Sequence, residues 1–574
     1  MSINIAVIQN AWDRDTFEIQ IENKYFLTAG NSTHNFSDTL SVKQSELASQ
    51  TLNALKQFLG AISMSELSLY EIIKNNIDKD TGKLPRDFSI LDESHAPNQI
   101  KFAPGAMDGA GVYHHYTVKE LEKEAAKVVK LTKKHLQTGA KSYVDEIETI
   151  LTDARTISAV DPILQNIRKN HKEFDAQKLI EFAFELAKTS RNTELVKLGI
   201  SLLGLIDLGE HESFRNVIAI LALYDEFTLF SVVAASNWEK GNELVFWIAK
   251  RIDGWGKIHT VERLEPETEE IKDWILREGC SNYVMDAYLG LTCAVKGDLI
   301  SALRLDSIDD GLFESVAIIM GALLDEGPVD GISVYDHAEE ALLLFMGHAK
   351  KHTVNLKHLW HILNVCSFIE DSELNNKADI IEQCTVIESN PVWKEKIKIA
   401  INQRDEENFF YACNAASRMD IDISADLFTI VKNEPLKYYS YMPQFFKNPN
   451  MATELIELCE TILPLDEMAE GMGDYLFAEK LRQEHQCLDF VLPELAAYPI
   501  KGVELIKTGL NSPVVRGRNM ACRALSGWVK TQGKPLSEIS SELYAEIVRI
   551  CEVEVNEQTK ETMKKLIDGG FEEP

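Results

Sequence analysis

The sequence predicts an all-α fold, an α-solenoid of stacked helix pairs with a small mixed α/β region at its N-terminal end. Two observations predict it. Apolar residues make up 45% of the 574 positions while glycine (30) and proline (16) are sparse, which favours long helices over a strand-rich fold with frequent turns. From about residue 161, helical segments of similar length follow one another. Such thin helix pairs bury their apolar faces only by stacking on their neighbours.

Residues 1–103 form the first predicted region. Alternating apolar and polar residues over 3–8 and 16–27 predict a short β-hairpin. Helical spacing over 41–62 and 66–77 predicts two helices, and the polar, aperiodic stretch after them predicts a linker.

The second region, residues 104–160, begins with a glycine-rich turn and continues as a helical pair. Thr117 and Glu120 have the spacing of a capping box, and a second helix is predicted over 142–154. The third region, 161–574, consists of repeated pairs of helical segments. The clearest pairs are 176–188 with 193–208, 213–223 with 227–235, 244–252 with 258–264, and 270–278 with 284–295.

One helical segment resembles a known repeat. In SPVVRGRNMACRALSGWV, residues 512–529, Ala521 and Ala524 allow close approach of a preceding helix. The segment is similar to the second helix of a HEAT repeat, and a HEAT- or armadillo-like pattern covers roughly two-thirds of the chain. That resemblance implies a scaffold whose concave face binds other proteins and which performs no catalysis.

The charge balance limits the partners. Lysine and arginine total 59 against 90 aspartate and glutamate, a net charge of −31. That field repels a phosphate backbone, so we expect no nucleic acid, and it attracts a basic protein. We see neither a basic segment followed by an apolar one at the start nor an apolar run as long as a membrane span. We therefore expect a cytoplasmic protein without a membrane partner.

The nine cysteines all fall after residue 279, form no CxxC and lie in apolar, helical contexts. An odd, scattered set of this kind is typical of reduced, buried thiols in a cytosolic protein. Neither a GxxxxGKS/T nor a GxSxG motif occurs, and we expect no cofactor.

The first candidate site is the glycine-rich turn, FAPGAMDGAGVYHHY over 102–116. Asp108, His114 and His115 supply a carboxylate and two imidazoles, which could transfer a proton or bind a metal. Adjacent histidines in an extended segment point in opposite directions, so only one would readily serve such a site. The alternative, which we favour, is a structural loop packed on the first solenoid helices.

A group of histidines lies further along the chain. His348 and His352 are four apart and His358 and His361 three apart, so each pair shares a helix face. Two lysines and no glutamate lie between His348 and His352, which argues against zinc. We predict a solvated helix end, favoured by the helix dipole, and no metal site.

The third candidate is the segment 251–289, which is dense in aromatic and charged residues. Glu262 or His259 could act as a base while Arg263 or Arg277 holds an anion. In the structural interpretation, which we favour, the charges tie successive repeats together and the tryptophans pack between them. As anchors for a partner protein the sequence offers Trp238, Trp247, Trp255, His259, Glu262, Arg263, Trp274 and Arg277.

Two parts of the chain resemble a family of bacterial repeat proteins, some of which carry the label limonene hydroxylase. GWGKIHTVERL, IKDWILREGC and NYVMDAYLGLTCAVKGDL, within 254–299, are similar to one motif, and FAPGAMDG with the two histidines after it is similar to another. A monooxygenase needs haem, flavin or non-haem iron, and we find neither a dinucleotide-binding glycine fingerprint nor a thiolate loop. The resemblance therefore implies a bacterial cytoplasmic protein without established chemistry.

These observations favour a non-catalytic acidic solenoid that binds a protein partner. An inhibitor, an immunity-type protein or an adaptor for a basic protein would fit. One alternative is an enzyme or metal-binding protein with its site at the glycine-rich turn over 104–116. A further alternative is a scaffold that holds two partners at once. The partner's identity, the oligomeric state and the curvature stay open.

Overall fold

A computed structural model describes residues 67–90, 102–114, 121–327, 329–374, 376–471, 473 and 481–569, together with three strands near the N-terminus. The chain divides into two compact units, residues 1–68 and 69–574. The first unit contains an antiparallel sheet in the order β1-β2-β3: Ile5–Gln9 (β1), Thr16–Ile21 (β2) and Lys24–Ala29 (β3).

In this sheet Ile5 lies opposite Ile21, and Thr16 lies opposite Ala29. The helix predicted over 41–62 lies outside the described residues. A mixed α/β N-terminal region therefore stays a prediction, as do the predicted boundaries after residues 103 and 160.

The second unit is helical. Its first helices are α1 (Leu69–Asn75), α2 (Ala106–Tyr113), α3 (Glu122–Thr138), α4 (Ser142–Ala154), α5 (Thr156–Lys169), α6 (Ala176–Thr189), α7 (Thr193–Leu203), α8 (Glu212–Leu221), α9 (Asp225–Ser236), α10 (Gly241–Ala249) and α11 (Trp255–Arg263). Next come α12 (Glu269–Trp274), which continues as a π-helix (Ile275–Gly279), α13 (Ala287–Lys296), α14 (Leu299–Leu303), α15 (Asp310–Leu324), α16 (Ala338–His352), α17 (Leu356–Asp371), α18 (Lys377–Glu388) and α19 (Val392–Gln403). The C-terminal part contains α20 (Phe409–Arg418), α21 (Ser424–Asn433), α22 (Pro449–Ile462), α23 (Leu465–Met468), α24 (Arg482–Val491), α25 (Val503–Leu510), α26 (Val515–Gln532), α27 (Leu536–Ile539), α28 (Ser541–Val553) and α29 (Glu557–Ile567). Short 3-10 helices are His171–Glu173, Ile332–Val334, Tyr439–Tyr441, Pro443–Lys447 and Leu492–Ala497.

From α6 to α17 the helices form pairs that stack in two rows. The pairs are α6 with α7, α8 with α9, α10 with α11, α12 with α13, α14 with α15, and α16 with α17. The second helices pack in the order α5, α7, α9, α11, α13, α15, α17, and the first helices pack in a row of their own, as in α14, α16 and α18. The prediction of a helical repeat solenoid is confirmed, whereas a HEAT-like character of the individual repeats stays a prediction.

Local capping explains why these segments begin where they do. The side chain of Asn192 accepts a hydrogen bond from the Leu195 amide at 3.0 Å at the start of α7. Thr268 accepts one from the Ile271 amide at 3.2 Å at the start of α12. Each cap satisfies an amide that the first helical turn leaves unpaired.

One disulfide joins two neighbouring helices. Cys366 on α17 and Cys384 on α18 are bonded, with Cα atoms 6.1 Å apart. The prediction of nine reduced thiols is therefore wrong for this pair, because α17 and α18 pack side by side and bring the two sulfurs together. The other seven cysteines are free and buried.

Candidate functional site

The segment 102–114, which contains α2, lies across the second helices of four successive pairs. We call it the strap. Its polar contacts reach Lys197 on α7, Glu226 on α9, Glu262 on α11 and Tyr288 on α13. The strap thus links pairs that follow one another along the array.

Two glycines let the strap approach these helices closely. Gly105 has a φ of +73°, and a Cβ there would lie 2.7 Å from the Asp225 carbonyl oxygen. Gly109 lies on the indole of Trp255, where a Cβ would meet a ring carbon at 2.2 Å. Any larger residue at either position would displace the strap.

Asp108 and Lys197 are the centre of a buried ionic network. Nζ of Lys197 lies 2.7 Å from Oδ2 of Asp108 and 2.6 Å from Oε1 of Glu226. Oε1 of Glu194 lies 3.4 Å from the same amine, and the guanidinium of Arg155 lies 3.1 Å from Oδ1 of Asp108. The side chains of Asp108 and Lys197 are only 3% and 0% exposed, so water screens this pair very little.

The network keeps its lysine charged. Burial acts against the charged form of Lys197, but Asp108 and the neighbouring glutamates hold its pKa above the ordinary value. Burial raises the pKa of Asp108, with Lys197 acting in the opposite direction. Burial also opposes ionisation of Glu226, yet Lys197 and the Gly105 amide hold its pKa below the ordinary value. A lysine held protonated in this way is not a nucleophile.

A further carboxylate, Asp225, lies at the start of α9. Its Oδ1 accepts a hydrogen bond from the Gly256 amide at 3.0 Å, and burial raises its pKa to about 7. A Cβ at Gly254 would lie 2.1 Å from Oδ2 of Asp225. The two glycines that flank Trp255 in the sequence therefore let α11 begin directly against this carboxylate.

Beyond the ionic network, Tyr113 of the strap stacks on rings of α11 and α13. Its ring centroid lies 6.1 Å from that of Trp255, 5.8 Å from that of His259 and 5.0 Å from that of Tyr288. Its hydroxyl donates a hydrogen bond to Oε2 of Glu262. The strap's C-terminal end is thus held by ring contacts as well as by hydrogen bonds.

The acid–base groups at this end differ in their access to solvent. His114 is exposed, and its Nε2 lies 2.6 Å from the Tyr288 hydroxyl. Burial raises the pKa of Glu262, which is partly exposed. His259 is buried, burial lowers its pKa to about 3, and neither ring nitrogen has a hydrogen-bond partner among the described residues. The imidazole of His259 is therefore neutral and closed to a substrate in this conformation.

The residues predicted in the glycine-rich turn do not form one site. Asp108 is engaged by Lys197 and Arg155, and His115 lies outside the described residues. His114 contacts Tyr288 instead. In the described part of the chain, no group of three or more His, Cys, Asp or Glu side chains could hold a metal ion.

Four of the predicted partner anchors lie together at the strap. These are Trp255, His259, Glu262 and Arg263. The Arg263 guanidinium donates to the His259 carbonyl at 3.0 Å and lies 3.5 Å from Oε2 of Glu262. Their side chains are therefore occupied by contacts within the chain.

The other four predicted anchors lie elsewhere. The Trp238 indole is buried and donates to the Ile206 carbonyl at 2.9 Å, and Trp274 is also buried. Trp247 is partly exposed beneath the Arg251 guanidinium, 4.2 Å from the ring. Arg277 forms ion pairs with Asp273 and Asp309.

The second histidine group is largely internal. His348, His358 and His361 are buried, so the predicted solvated helix end is wrong for these three. Because α16 packs against α14, Nε2 of His348 lies 3.0 Å from the Leu303 carbonyl oxygen. His352 ends α16 and is partly exposed.

Sequence reasoning missed Lys197, Glu226 and Tyr288 as partners of the strap. Lys197 offered a signal, since it interrupts the apolar run NTELVKLGISLL with a charge. A charged side chain within a buried helix needs a compensating partner. The sequence does not say which carboxylate that partner is.

A scan against protein-family models and a search of curated proteins both give no match. Among solved structures, the chain is similar to a circular tandem repeat protein with novel repeat topology and enhanced subunit contact surfaces. The two are 12% identical, the match covers 79% of this chain and 95% of that chain, and the TM-score is 0.13. A TM-score this low supports no conclusion, so the fold rests on the contacts described above. Within the described residues, no helix combines the length and apolar character that crossing a membrane requires.

Proposed function

We propose that this protein is a non-catalytic helical repeat scaffold that binds a basic protein partner through one acidic edge of its array. The observation that carries the proposal is the unequal charge of the two edges. The two helices of a pair are joined by a short turn and run in opposite directions. Turns within pairs therefore line one edge, and turns between pairs line the other.

The turns between pairs form the acidic edge, comprising residues 204–211, 237–240, 264–268, 297–298, 325–337 and 372–376. They contain eleven carboxylates and one lysine, Lys240, and every carboxylate except that of Asp298 belongs to an exposed residue. The carboxylates are those of Asp207, Glu210, Glu239, Glu265, Glu267, Asp298, Asp325, Glu326, Asp330, Asp336 and Glu373.

The opposite edge is balanced. Its turns are 190–192, 222–224, 250–254, 280–286, 304–309 and 353–355, and they hold four cations against four carboxylates. The cations are Arg191, Lys250, Arg251 and Arg304, and the carboxylates are Asp253, Asp286, Asp306 and Asp309. The negative field is therefore concentrated on one side of the array.

Carboxylates on successive turns of the acidic edge reinforce one another. Packed helices lie about 8–10 Å apart, which is comparable with the Debye length of about 8 Å at physiological ionic strength. Some of these groups have partners, such as Glu210 with Lys240 at 3.6 Å and Glu265 with Lys296 at 3.1 Å. Exposed pairs of this kind are weak and leave the field of the edge negative.

The finer features of the proposal concern the class of scaffold. We infer HEAT-like repeats and a bacterial, cytoplasmic protein. Its role would be that of an inhibitor, an immunity-type protein or an adaptor. Each of these roles would use an acidic edge to orient a basic partner. The strap supports a binding function over catalysis, since it occupies Trp255, Glu262 and the faces of four second helices.

The test compares two charge-reversal variants with equal changes in net charge. Glu239→Lys with Glu267→Lys alters the acidic edge. Glu278→Lys with Asp306→Lys, called the balanced-edge variant, alters Asp306 in the balanced edge and the exposed Glu278 just before its turn 280–286. Tagged wild type and both variants are used to capture proteins from the lysate of the native cell at low and at high salt, with mass spectrometry of the eluates.

We expect a stoichiometric basic protein that wild type and the balanced-edge variant capture at low salt and release at high salt. The acidic-edge variant should lose most of it. Equal capture by both variants, or capture insensitive to salt, would count against the acidic edge.

A second candidate function, an enzyme at residues 104–116, has one observation in its favour. Two hydrogen-bonded pairs, Tyr113 with Glu262 and His114 with Tyr288, lie side by side at the end of α2. Metal analysis of the purified protein tests the metal-dependent version. Bound metal that is lost in His114→Ala or His115→Ala would favour this function over the scaffold.

A further inference from the structure

The strap turns apolar side chains to solvent and polar side chains to the array. Asp108 is buried, and the hydroxyl of Tyr113 is bonded to α11. A helix that belongs to a hydrophobic core has the opposite arrangement. Ionic, hydrogen-bond and ring contacts therefore attach the strap to the array. The apolar side chains exposed on its outer side are those of Phe102 (56%), Met107 (42%) and Val112 (38%).

The surface beneath the strap, which we call the strap site, keeps its own charge balance. Lys197 has two carboxylate partners within the array, Glu226 at 2.6 Å and Glu194 at 3.4 Å. On α11, the Arg263 guanidinium lies 3.5 Å from Oε2 of Glu262. If the strap left, Lys197 and Glu262 would each keep an opposite charge, and the carboxylate of the strap would pass into water. Departure of the strap therefore leaves no buried charge without a partner.

One polar side chain of the strap site is not satisfied by the strap. His259 is 1% exposed, and its ring stacks on that of Tyr113 with the centroids 5.8 Å apart. Neither ring nitrogen of His259 has a hydrogen-bond partner among the described residues. A buried polar group without a partner destabilises the state in which it is buried. The strap is thus an incomplete match for the surface that it covers.

We propose that the strap site is a peptide-binding site, and that the strap fills it until a peptide segment of a partner protein takes its place. The ligand is a segment with a carboxylate for Lys197 and, five residues later, a tyrosine for Trp255 and Glu262. Asp108 and Tyr113 of the strap show this spacing and these contacts. Partner binding through this site uses the second helices and not the acidic edge, so it does not rest on the function proposed above.

The strap has an advantage over any free peptide because it belongs to the same chain. A tethered segment acts at an effective concentration on the order of millimolar. The apparent affinity for a free peptide is therefore reduced to the fraction of molecules in which the site is open. Weakening the strap while leaving the strap site unchanged should raise that affinity.

The first test measures binding of the synthetic peptide FAPGAMDGAGVYH, the sequence of residues 102–114, to the full-length protein. The peptide carries a fluorescent label and binding is followed by anisotropy. The loosened variant is Asp108→Asn with Tyr113→Phe, which removes two polar contacts of the strap. The matched control is Met107→Ala with Val112→Ala, which alters only the exposed side of the same helix.

We expect the loosened variant to bind the peptide at least about tenfold more tightly than the wild type and the matched control do. A second peptide that carries the same asparagine and phenylalanine substitutions should bind the loosened variant at least about tenfold more weakly than the first peptide does. Circular dichroism establishes that the three proteins are equally folded.

A measurement on the wild type requires no substitution. Native-state hydrogen exchange at low urea concentrations compares the amides of residues 106–113 with those of α7 and α11. We expect the amides of the strap to exchange by a local opening that depends weakly on urea, because the opening exposes little surface. This measurement decides the proposal if the loosened variant does not fold.

The proposal is overturned if the amides of the strap exchange only together with those of α7, with the same urea dependence. It is also overturned if the folded, loosened variant binds the two peptides equally, or binds the first peptide no better than the wild type does. Equally tight binding of the first peptide by the matched control would place the peptide elsewhere on the chain and would overturn it too.

Discussion

Nζ of Lys197 lies 2.7 Å from Oδ2 of Asp108, and this contact fastens the strap to α7 in a region closed to water. Asp108 belongs to the glycine-rich turn, where a carboxylate could have served in catalysis. Its surroundings give it a structural role, because a buried charge without a partner costs several kcal/mol. Lys197 has the same requirement, so the two residues depend on each other.

We expect Lys197→Met to lower the free energy of unfolding by about 3–5 kcal/mol, the range for breaking a buried ion pair. Methionine fills most of the same space but removes the cation from Glu226 and leaves Asp108 with Arg155 alone. Urea denaturation followed by circular dichroism measures the loss. Adding Asp108→Asn should restore part of it, and strictly additive losses would contradict the pairing.

Two helical glycines make a matched comparison. Gly109→Ala should destabilise the protein and loosen the strap, because the new Cβ would meet the Trp255 ring at 2.2 Å. Gly347→Ala on α16 has open space around its Cβ and should stabilise the protein by up to about 1 kcal/mol through helix propensity. Thermal unfolding measures both, and hydrogen exchange over 102–114 reports the strap. Equal effects of the two substitutions would contradict the close approach at Gly109.

Asp225 makes stability depend on pH. Burial raises its pKa in the folded protein to about 7, above the value of about 3.9 for an unfolded chain. Its contribution is therefore full at pH values below the unfolded pKa and is lost as the pH rises through the folded pKa. The free energy of unfolding of Asp225→Asn, relative to wild type, should rise by roughly 1–3 kcal/mol between about pH 5 and pH 8. Asp225 keeps some exposed surface, which places the change toward the lower end of that range.

The exposed Asp422 provides the comparison for this titration, because a hydrogen bond from the Ser424 amide holds its pKa below the ordinary value. Asp422 stays ionised between pH 5 and pH 8, so Asp422→Asn should show no such change over that interval. A pH-independent difference between wild type and Asp225→Asn would mean that Asp225 titrates alike in the folded and unfolded states.

His259 and His348 are both buried, but only the ring of His348 has a hydrogen-bond partner among the described residues. Neither nitrogen of His259 has a partner among the described residues, whereas Nε2 of His348 lies 3.0 Å from the Leu303 carbonyl oxygen. We expect His259→Leu to leave stability unchanged or raise it by about 1 kcal/mol, since it removes an unsatisfied polar group. His348→Leu should lower stability by about 1 kcal/mol or more through the orphaned carbonyl. Urea denaturation ranks the two, and the reverse order would contradict this assignment.

Helices were the most predictable part of the fold. The second helix of the glycine-rich region was predicted over 142–154 and is observed as Ser142–Ala154. The first helix of the next pair was predicted over 176–188 and ends one residue later. Apolar periodicity and capping residues are local features, so a single sequence reports them well. The apolar pattern extends this helix to Leu208, whereas α7 ends at Leu203 with Gly204 as its C-cap residue.

The site was less predictable because its contacts are distant in sequence. Trp238 and Trp274 were proposed as partner anchors, yet both are buried between helices. Periodicity identifies an apolar face but does not say whether another helix or a partner covers it. The same limit applies to the strap, since no local pattern pairs Asp108 with Lys197.

The strap also sets an order of events during synthesis. The hydrogen bond between His114 and Tyr288 joins residues 174 positions apart, and the bond between Tyr113 and Glu262 joins residues 149 positions apart. At about 5–20 residues per second, a ribosome needs roughly 10–35 s to make the stretch between His114 and Tyr288. The helix pairs use neighbouring residues and can form as they emerge, whereas the strap must wait until α13 has been translated. The nascent chain therefore carries an exposed, glycine-rich segment that finds its last contact only after four helix pairs exist.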